Sequence, residues 1–86
     1  MNIEVGNYST VYNGTVFHFT DVCVVDYSSN DGEHIVSKVS VDEVWEELDN
    51  RHDYLTDFTL DLKLMLQEEL TLSNECQNKI NEYLNR

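Results

Sequence analysis

The sequence predicts an α+β fold in which an N-terminal three-stranded antiparallel meander packs against two or three C-terminal helices within a single domain, residues 1–86. Three observations predict this fold. β-branched and aromatic residues alternate with polar ones over about residues 8–40, as in strands with one buried face. Two turn-forming segments interrupt that stretch. Over about residues 41–86, apolar residues recur instead at helical spacing behind capping residues.

The first predicted turn is an Asn-Gly pair at residues 13–14. This pair favours a two-residue β-hairpin because both residues tolerate positive φ. We therefore expect Tyr12 opposite Thr15 and Phe17 opposite Thr10. The pairing continues so that the aromatic residues of the first two strands share one face of the sheet.

The second predicted turn occupies residues 28–32, with Tyr27 opposite Glu33, and completes a three-stranded meander. In this register most large apolar side chains lie on one sheet face. The residues predicted on that face are Tyr8, Tyr12, Phe17, Phe19, Cys23, Val25, Ile35 and Val39. Asp21 falls among them, which marks a bulge or a bend in the second strand.

Two helices are predicted from their caps. Ser40, with Glu43 three residues later, fits a capping box, and an apolar stripe of helical spacing follows through about Asn50. Ser73 caps the last predicted helix. The apolar residues of that last helix are Cys76, Ile80, Tyr83 and Leu84.

Residues 57–70 fit two patterns, because their leucines match both the alternation of a strand and one face of a helix. Leu, Met, Lys, Gln and Glu favour a helix, and β-branched residues are scarce, so we predict a helix. Leu60 and Leu64 then project from the side opposite the main apolar face. They need a second surface, which is the protein's own sheet, a second copy of the chain or a target protein.

The charge of the chain is strongly negative, with seventeen acids, five bases and a formal net charge of −12. Ten of the acids lie between Asp42 and Glu69, where Arg51 and Lys63 are the only bases. Contact with phosphates needs clustered lysine and arginine. We therefore expect no direct binding of nucleic acid.

Part of this charge is predicted to form a protein-binding surface. The acids that share one face of the predicted helix after Ser40 are Asp42, Glu46, Asp49 and Asp53. Like charges at this spacing repel, and a protein that keeps them can use their field to attract a partner. The alternative is a solvated face that only maintains solubility. The predicted contact residues are Asp42, Glu43, Glu46, Glu47, Asp49, Asp53, Asp57 and the aromatic Tyr54.

No motif for catalysis, a metal or a cofactor is visible. The sequence lacks a nucleophile elbow, a Walker loop and an HExxH motif. His18 and Cys23 are predicted on opposite sheet faces, and His34 is predicted to pair with Asp26 on the polar face. These residues therefore do not converge on one ion. We expect no enzymatic activity, no cofactor and no metal site.

The predicted location is the cytoplasm. The N-terminus lacks the basic and apolar segments of a signal peptide. The longest apolar run, residues 22–25, is far shorter than the ~20 residues of a membrane span. Without a secretory signal, Cys23 and Cys76 are expected to stay reduced.

These observations favour a small acidic inhibitor that binds a basic, nucleic-acid-binding site on another protein. In size and charge the chain resembles the DNA-mimicking inhibitors that phages direct against host defences, such as anti-CRISPR and anti-restriction proteins. That resemblance implies a host defence protein or nuclease as the partner, in the cytoplasm of the host cell. Two alternatives are an immunity or antitoxin protein that neutralises a toxin, and a structural or regulatory homodimer held by Leu60 and Leu64 whose charge is only solubilising.

Overall fold

The computed structural model describes residues 2–85, which form five strands and two helices. In chain order these are β1 (Ile3–Tyr12), β2 (Thr15–Asn30), β3 (Glu33–Ser40), β4 (Glu43–Leu48), β5 (Arg51–Leu55), α1 (Leu60–Leu72) and α2 (Asn74–Leu84). The predicted α+β class is confirmed. The predicted number of three strands is wrong, because the chain continues the sheet beyond β3.

β2 is the central strand of the sheet and contains 16 residues. β1 pairs along one side of it, β3 and β4 follow each other along the other side, and β5 pairs with β4. All of these pairings are antiparallel. Apart from a local shift, one register runs from Asn30 opposite Glu33 to Val16 opposite Glu47. β3 and β4 therefore act as one long strand that is interrupted at residues 41–42.

Three two-residue turns connect these hairpins, and both residues of each turn have positive φ. The turns are Asn13-Gly14, Asp31-Gly32 and Asp49-Asn50. Positive φ at both positions defines the type I′ turn, whose twist matches that of the flanking strands. The prediction for the first turn is confirmed, with Tyr12 opposite Thr15 and Phe17 opposite Thr10.

The prediction for the second turn is wrong in length and register. Asp31 and Gly32 alone make the turn, so the strands extend further than expected and Tyr27 lies opposite Val36 instead of Glu33. The register therefore differs from the predicted one by three residues, which is an odd number. Because side chains alternate across a strand, an odd shift changes which residues of β3 face the core. Ile35 is accordingly exposed and Val36 is buried.

The irregularity predicted at Asp21 is present. Its φ is 48°, a conformation that few residues other than glycine adopt, and its N–H donates to Asn7 Oδ1 at 3.2 Å. The alternation of β2 changes phase here, since Phe19 is buried before it and Val22 after it. Cys23 and Val25 are therefore half-buried on the outer side of the sheet, and their predicted place on the core face is wrong.

The helix predicted after Ser40 is also wrong, because this segment forms β4 and β5. Ser40 ends β3, and the Glu43 N–H donates to Thr20 Oγ1 at 2.9 Å instead of closing a capping box. Valine and tryptophan favour strands. β4 also pairs with both β2 and β5, so long-range hydrogen bonds override the helical spacing of its apolar residues.

The two C-terminal helices agree with prediction. Thr59 caps α1 through a bond from the Leu62 N–H at 3.4 Å, and α1 buries Leu62, Leu66 and Leu70. Ser73 caps α2 through a bond from the Cys76 N–H at 3.3 Å, as expected. Leu60 and Leu64 project into solvent with exposed fractions of 69% and 53%.

The core lies between the sheet and the helices, which pack mainly on β1 and β3. Its buried members are Ile3, Phe17, Phe19, Val22, Val24, Val36, Val39, Val44, Leu62, Leu66, Leu70, Cys76 and Ile80. Of the aromatic residues predicted in the core, Phe17 and Phe19 are buried and the others are half-buried. Cys76 is a free thiol whose pKa rises to about 11, because burial and the neighbouring Glu75 disfavour the thiolate.

The outer edge of β3 is covered by two side chains from the helical part. Gln77 accepts a hydrogen bond from the His34 N–H at 3.0 Å and donates one to the His34 carbonyl at 2.6 Å. Thr71 Oγ1 accepts from the Val36 N–H at 3.0 Å. These side chains take the place of a further strand and satisfy backbone groups that an open edge would leave unpaired.

His34 is buried, with 4% of its surface exposed. Its ring nitrogens contact Ser29 Oγ and Asn81 Oδ1, both at 2.7 Å. The predicted pairing with Asp26 on the polar face is wrong, because the two-residue turn places His34 opposite Ser29. The residue has a structural role, since it connects the end of the β2–β3 hairpin to α2.

Candidate functional site

An open cleft with acidic walls lies where the β1–β2 turn, the β4–β5 hairpin and the start of α1 meet. Its volume is about 410 Å³. Apolar lining comes from Tyr12, Phe17, Leu55 and Leu62. The carboxylates that line it are Glu46, Asp57 and Asp61. The cleft therefore combines an apolar floor with several negative charges at its walls.

The charge extends from the cleft onto the β4–β5 hairpin. Asp53 lies directly opposite Glu46 in the ladder, so both carboxylates point to the same sheet face. Like charges in directly opposed positions are destabilising. The negative charge of Asp61 is stabilised locally, because the residue lies in the first turn of α1 and interacts favourably with the helix dipole. Glu46 and Asp53 have no such compensation.

The acids form no ion pair with the lysines and arginines that the structure describes. Within residues 2–85, no lysine or arginine nitrogen lies within 4.0 Å of a carboxylate oxygen, and the ion pairs present join His18 and His52 to Glu47. The carboxylates of the cleft thus remain available to an external cation. A lysine or arginine side chain suits this arrangement, because its alkyl stem packs on apolar surface while its charged end binds carboxylates.

Comparison with known proteins identifies no relative. No family model matches the sequence, and no curated protein or solved structure matches it. The assignment of a function therefore rests on the residues of this chain. Within residues 2–85, neither helix has the length and apolar character needed to cross a membrane.

The structure brings together only part of the predicted contact surface. Glu46 and Asp57 line the cleft, Asp53 lies opposite Glu46, and Asp49 occupies the turn beside them. Asp61 also lines the cleft, although it was not among the predicted contact residues. An acidic residue close to the N-cap of the predicted helix was the signal that could have identified it.

The other predicted residues lie elsewhere. Glu43 and Glu47 alternate with Val44 and Glu46, so they point to the opposite sheet face. Tyr54 shares that face, is 50% exposed, and packs edge-on against Trp45 with ring centroids 5.3 Å apart. Asp42 is exposed in the link between β3 and β4. The single acidic face predicted for a helix is therefore wrong, because a strand sends successive residues to opposite sides.

Removing the repulsion between Glu46 and Asp53 should stabilise the fold. We expect Asp53→Lys to raise the free energy of unfolding by about 0.5–1 kcal/mol at low ionic strength, since a like-charge pair becomes an attractive one. The measurement is urea unfolding, repeated in about 1 M salt, where screening should remove most of the gain. Asp53→Asn, which only removes the repulsion, should give a smaller gain. A loss of stability in both variants would contradict the repulsive pairing.

Proposed function

We propose that this protein is a small acidic inhibitor that occupies a basic, nucleic-acid-binding site on another protein. The observation that carries the proposal is the cleft, where Glu46, Asp57 and Asp61 surround an apolar floor and contact no lysine or arginine of the described chain. Such a cleft is suited to a cationic side chain of a partner. The repulsion between Glu46 and Asp53 costs stability, which is understandable if the charges serve binding.

The mode of inhibition is competition with a nucleic acid. Directly opposed residues in a sheet have Cβ atoms about 4.5–5.5 Å apart, so Glu46 and Asp53 present two negative charges at close spacing. Lysine and arginine residues that bind phosphates would bind these carboxylates instead. The net charge of −12 would accelerate the encounter with a positively charged partner. Affinity should therefore fall as salt increases.

The size and charge of the chain agree with a phage inhibitor of anti-CRISPR or anti-restriction type, acting on a host defence protein or nuclease. An immunity or antitoxin protein that neutralises a toxic nuclease would use the same surface chemistry. A homodimer is the alternative of a different class, and it is favoured by the exposure of Leu60, Leu64 and Leu72. In a homodimer, truncation of Leu64 would weaken self-association.

The proposal is tested by capture from a bacterial lysate on immobilised protein, with elution by a short DNA duplex. The cleft variant is Glu46→Gln/Asp57→Asn. The control variant is Asp26→Asn/Asp31→Asn, which removes the same charge from exposed positions outside the cleft. We expect the wild type and the control to retain a nucleic-acid-binding protein that the duplex releases. The cleft variant should retain about tenfold less of it.

Two results would contradict the proposal. Equal losses in the cleft and control variants would mean that only the overall charge matters. A partner that stays bound in excess duplex, and is not a nucleic-acid-binding protein, would exclude competition for a nucleic-acid site. Circular dichroism of each variant would establish that the substitutions leave the fold intact.

A further inference from the structure

Three side chains with metal-binding atoms converge on the sheet face opposite the helices. His18 comes from β2, Glu47 from β4 and His52 from β5, and their ligand atoms all lie within 4.8 Å of one another. His18 Nε2 is 3.0 Å from Glu47 Oε2, and His52 Nε2 is 3.7 Å from Glu47 Oε1. The two imidazole rings are 5.5 Å apart between centroids.

The strand register brings these three residues together. His52 lies directly opposite Glu47 in the β4–β5 ladder. Val16 lies opposite Glu47 in the β2–β4 ladder, and His18 is the next residue of β2 on that face. Long side chains on such diagonal positions reach each other across a sheet. The arrangement therefore depends on the backbone pairing of three adjacent strands.

We propose that His18, Glu47 and His52 form a binding site for a divalent transition-metal ion, with Zn²⁺ as the matching ion. Zinc binds imidazole nitrogen and carboxylate oxygen at about 2.0–2.2 Å, so ligands at tetrahedral positions are about 3.3–3.6 Å apart. The separations from His18 Nε2 to Glu47 Oε2 and from His52 Nε2 to Glu47 Oε1, 3.0 and 3.7 Å, lie on either side of this range. All of the ligand atoms lie within 4.8 Å of one another, so rotations of the side chains would bring them to this spacing.

A fourth residue positions one of the ligands. Ser9 Oγ lies 2.7 Å from His18 Nδ1, on the side of the ring away from Glu47. When the hydroxyl accepts a hydrogen bond from Nδ1–H, the Nε2 atom carries the lone pair that binds a metal. Hydrogen bonds of this kind fix the orientation of metal-binding histidines and strengthen them as ligands. Ser9 is therefore a positioning residue for the site.

The site is open enough to solvent for a hydrated ion to enter it. The side chains of His18 and Glu47 are 32% and 36% exposed, and that of His52 is 57% exposed. Three protein ligands leave one tetrahedral position for water. Mg²⁺ and Ca²⁺ prefer sites made of oxygen atoms, so the two imidazoles select for zinc over these ions. The net charge of −12 attracts cations to the surface.

The test is a calorimetric titration of the full chain with ZnCl₂, accompanied by nuclear magnetic resonance of the histidine rings. We expect one zinc ion per chain and shifts of the ring nitrogen signals of His18 and His52. The signals of His34, which is buried elsewhere, should not move and serve as an internal control. Zinc at one hundred times its dissociation constant should raise Tm by about 11–22 °C.

The matched variants are Glu47→Gln and Glu43→Gln, which remove one carboxylate each from the same strand and the same face. Glu47→Gln should weaken zinc binding by more than about tenfold, whereas Glu43→Gln should change it less than twofold. His52→Gln, at the most exposed of the three ligands, provides a second variant that should weaken binding with little effect on the fold. Replacing Zn²⁺ with Mg²⁺ should abolish the histidine shifts.

The proposal would be overturned by zinc binding that is equally strong in the wild type, Glu47→Gln and His52→Gln, since the ion would then sit on other carboxylates. It would also be overturned if zinc shifted neither His18 nor His52. Cys23 is a free thiol, so the titration is repeated in Cys23→Ser. Loss of all zinc binding in that variant would assign the ion to the cysteine and would likewise exclude the proposed site.

Discussion

Replacing Leu66 with alanine should lower the free energy of unfolding by about 2–5 kcal/mol. Leu66 is fully buried at the middle of the apolar face of α1. The substitution loses the transfer free energy of the removed atoms and leaves a cavity between helix and sheet. A domain of this length has a total stability of roughly 4–13 kcal/mol, so the expected loss is a large fraction of the whole. Urea denaturation monitored by circular dichroism provides the measurement.

Leu64→Ala is the matched control for this prediction. It makes the same chemical change two positions away on the same helix, but Leu64 is 53% exposed. We expect its effect to stay within about 0.5 kcal/mol. Equal losses at both positions would mean that something covers Leu64. If that loss disappeared on dilution, a second copy of the chain would be the cover, and the homodimer alternative would gain support.

Replacing Gln77 with alanine should lower the free energy of unfolding by about 2–4 kcal/mol. The variant removes both hydrogen bonds from Gln77 to the His34 backbone, together with the bond from its Nε2 to the Thr71 carbonyl at 2.9 Å. Each buried polar group that loses its partner costs about 1–3 kcal/mol. The loss therefore exceeds that expected for an ordinary polar residue on a helix. Thermal or urea unfolding measures it.

Hydrogen exchange gives a local control for the Gln77 prediction. The amide of His34 should exchange faster in Gln77→Ala, because it loses its acceptor, whereas Asn78→Ala, at an exposed site on the same helix, should leave it unchanged. Gln77→Glu keeps an acceptor for that amide but loses the donor to the carbonyls. It should be intermediate in stability. Equal exchange rates in the Gln77→Ala and Asn78→Ala variants would show that Gln77 does not cover the strand edge.

The parts of the fold that depend on neighbouring residues could be predicted from the sequence. Asn13-Gly14 determines its turn by the φ angles that the two residues tolerate, and Ser73 determines the start of α2 by a local hydrogen bond. β4 depends on partners far away in the chain. Val44 and Trp45 fit a helical stripe over a short window, but in the strand they point to opposite faces. The pairing of β4 with β2 decides between helix and strand, and this pairing cannot be predicted from the local sequence.

In the candidate sites, too, the features that depend on local sequence could be predicted and those that depend on long-range pairing could not. The concentration of acids between Asp42 and Glu69 is visible in the sequence and predicted the charged character of the surface. The cleft forms only where β4, β5 and the start of α1 come together in space. The residues that line it could therefore not be predicted from the sequence. The convergence of His18, Glu47 and His52 was missed for a related reason. It requires three strands in register, whereas the local sequence pattern predicts a helix and a connection in place of β4 and β5.

The cover that Gln77 provides for β3 has a consequence during protein synthesis. Gln77 lies 43 residues beyond His34 in the chain. At a translation rate of about 5–20 residues per second, the ribosome needs roughly 2–9 s to make this stretch. A β2–β3 hairpin that forms within that interval lacks the side chains that cover its edge. An unprotected edge can pair with strands of other chains, so the growing chain is open to such pairing during this interval.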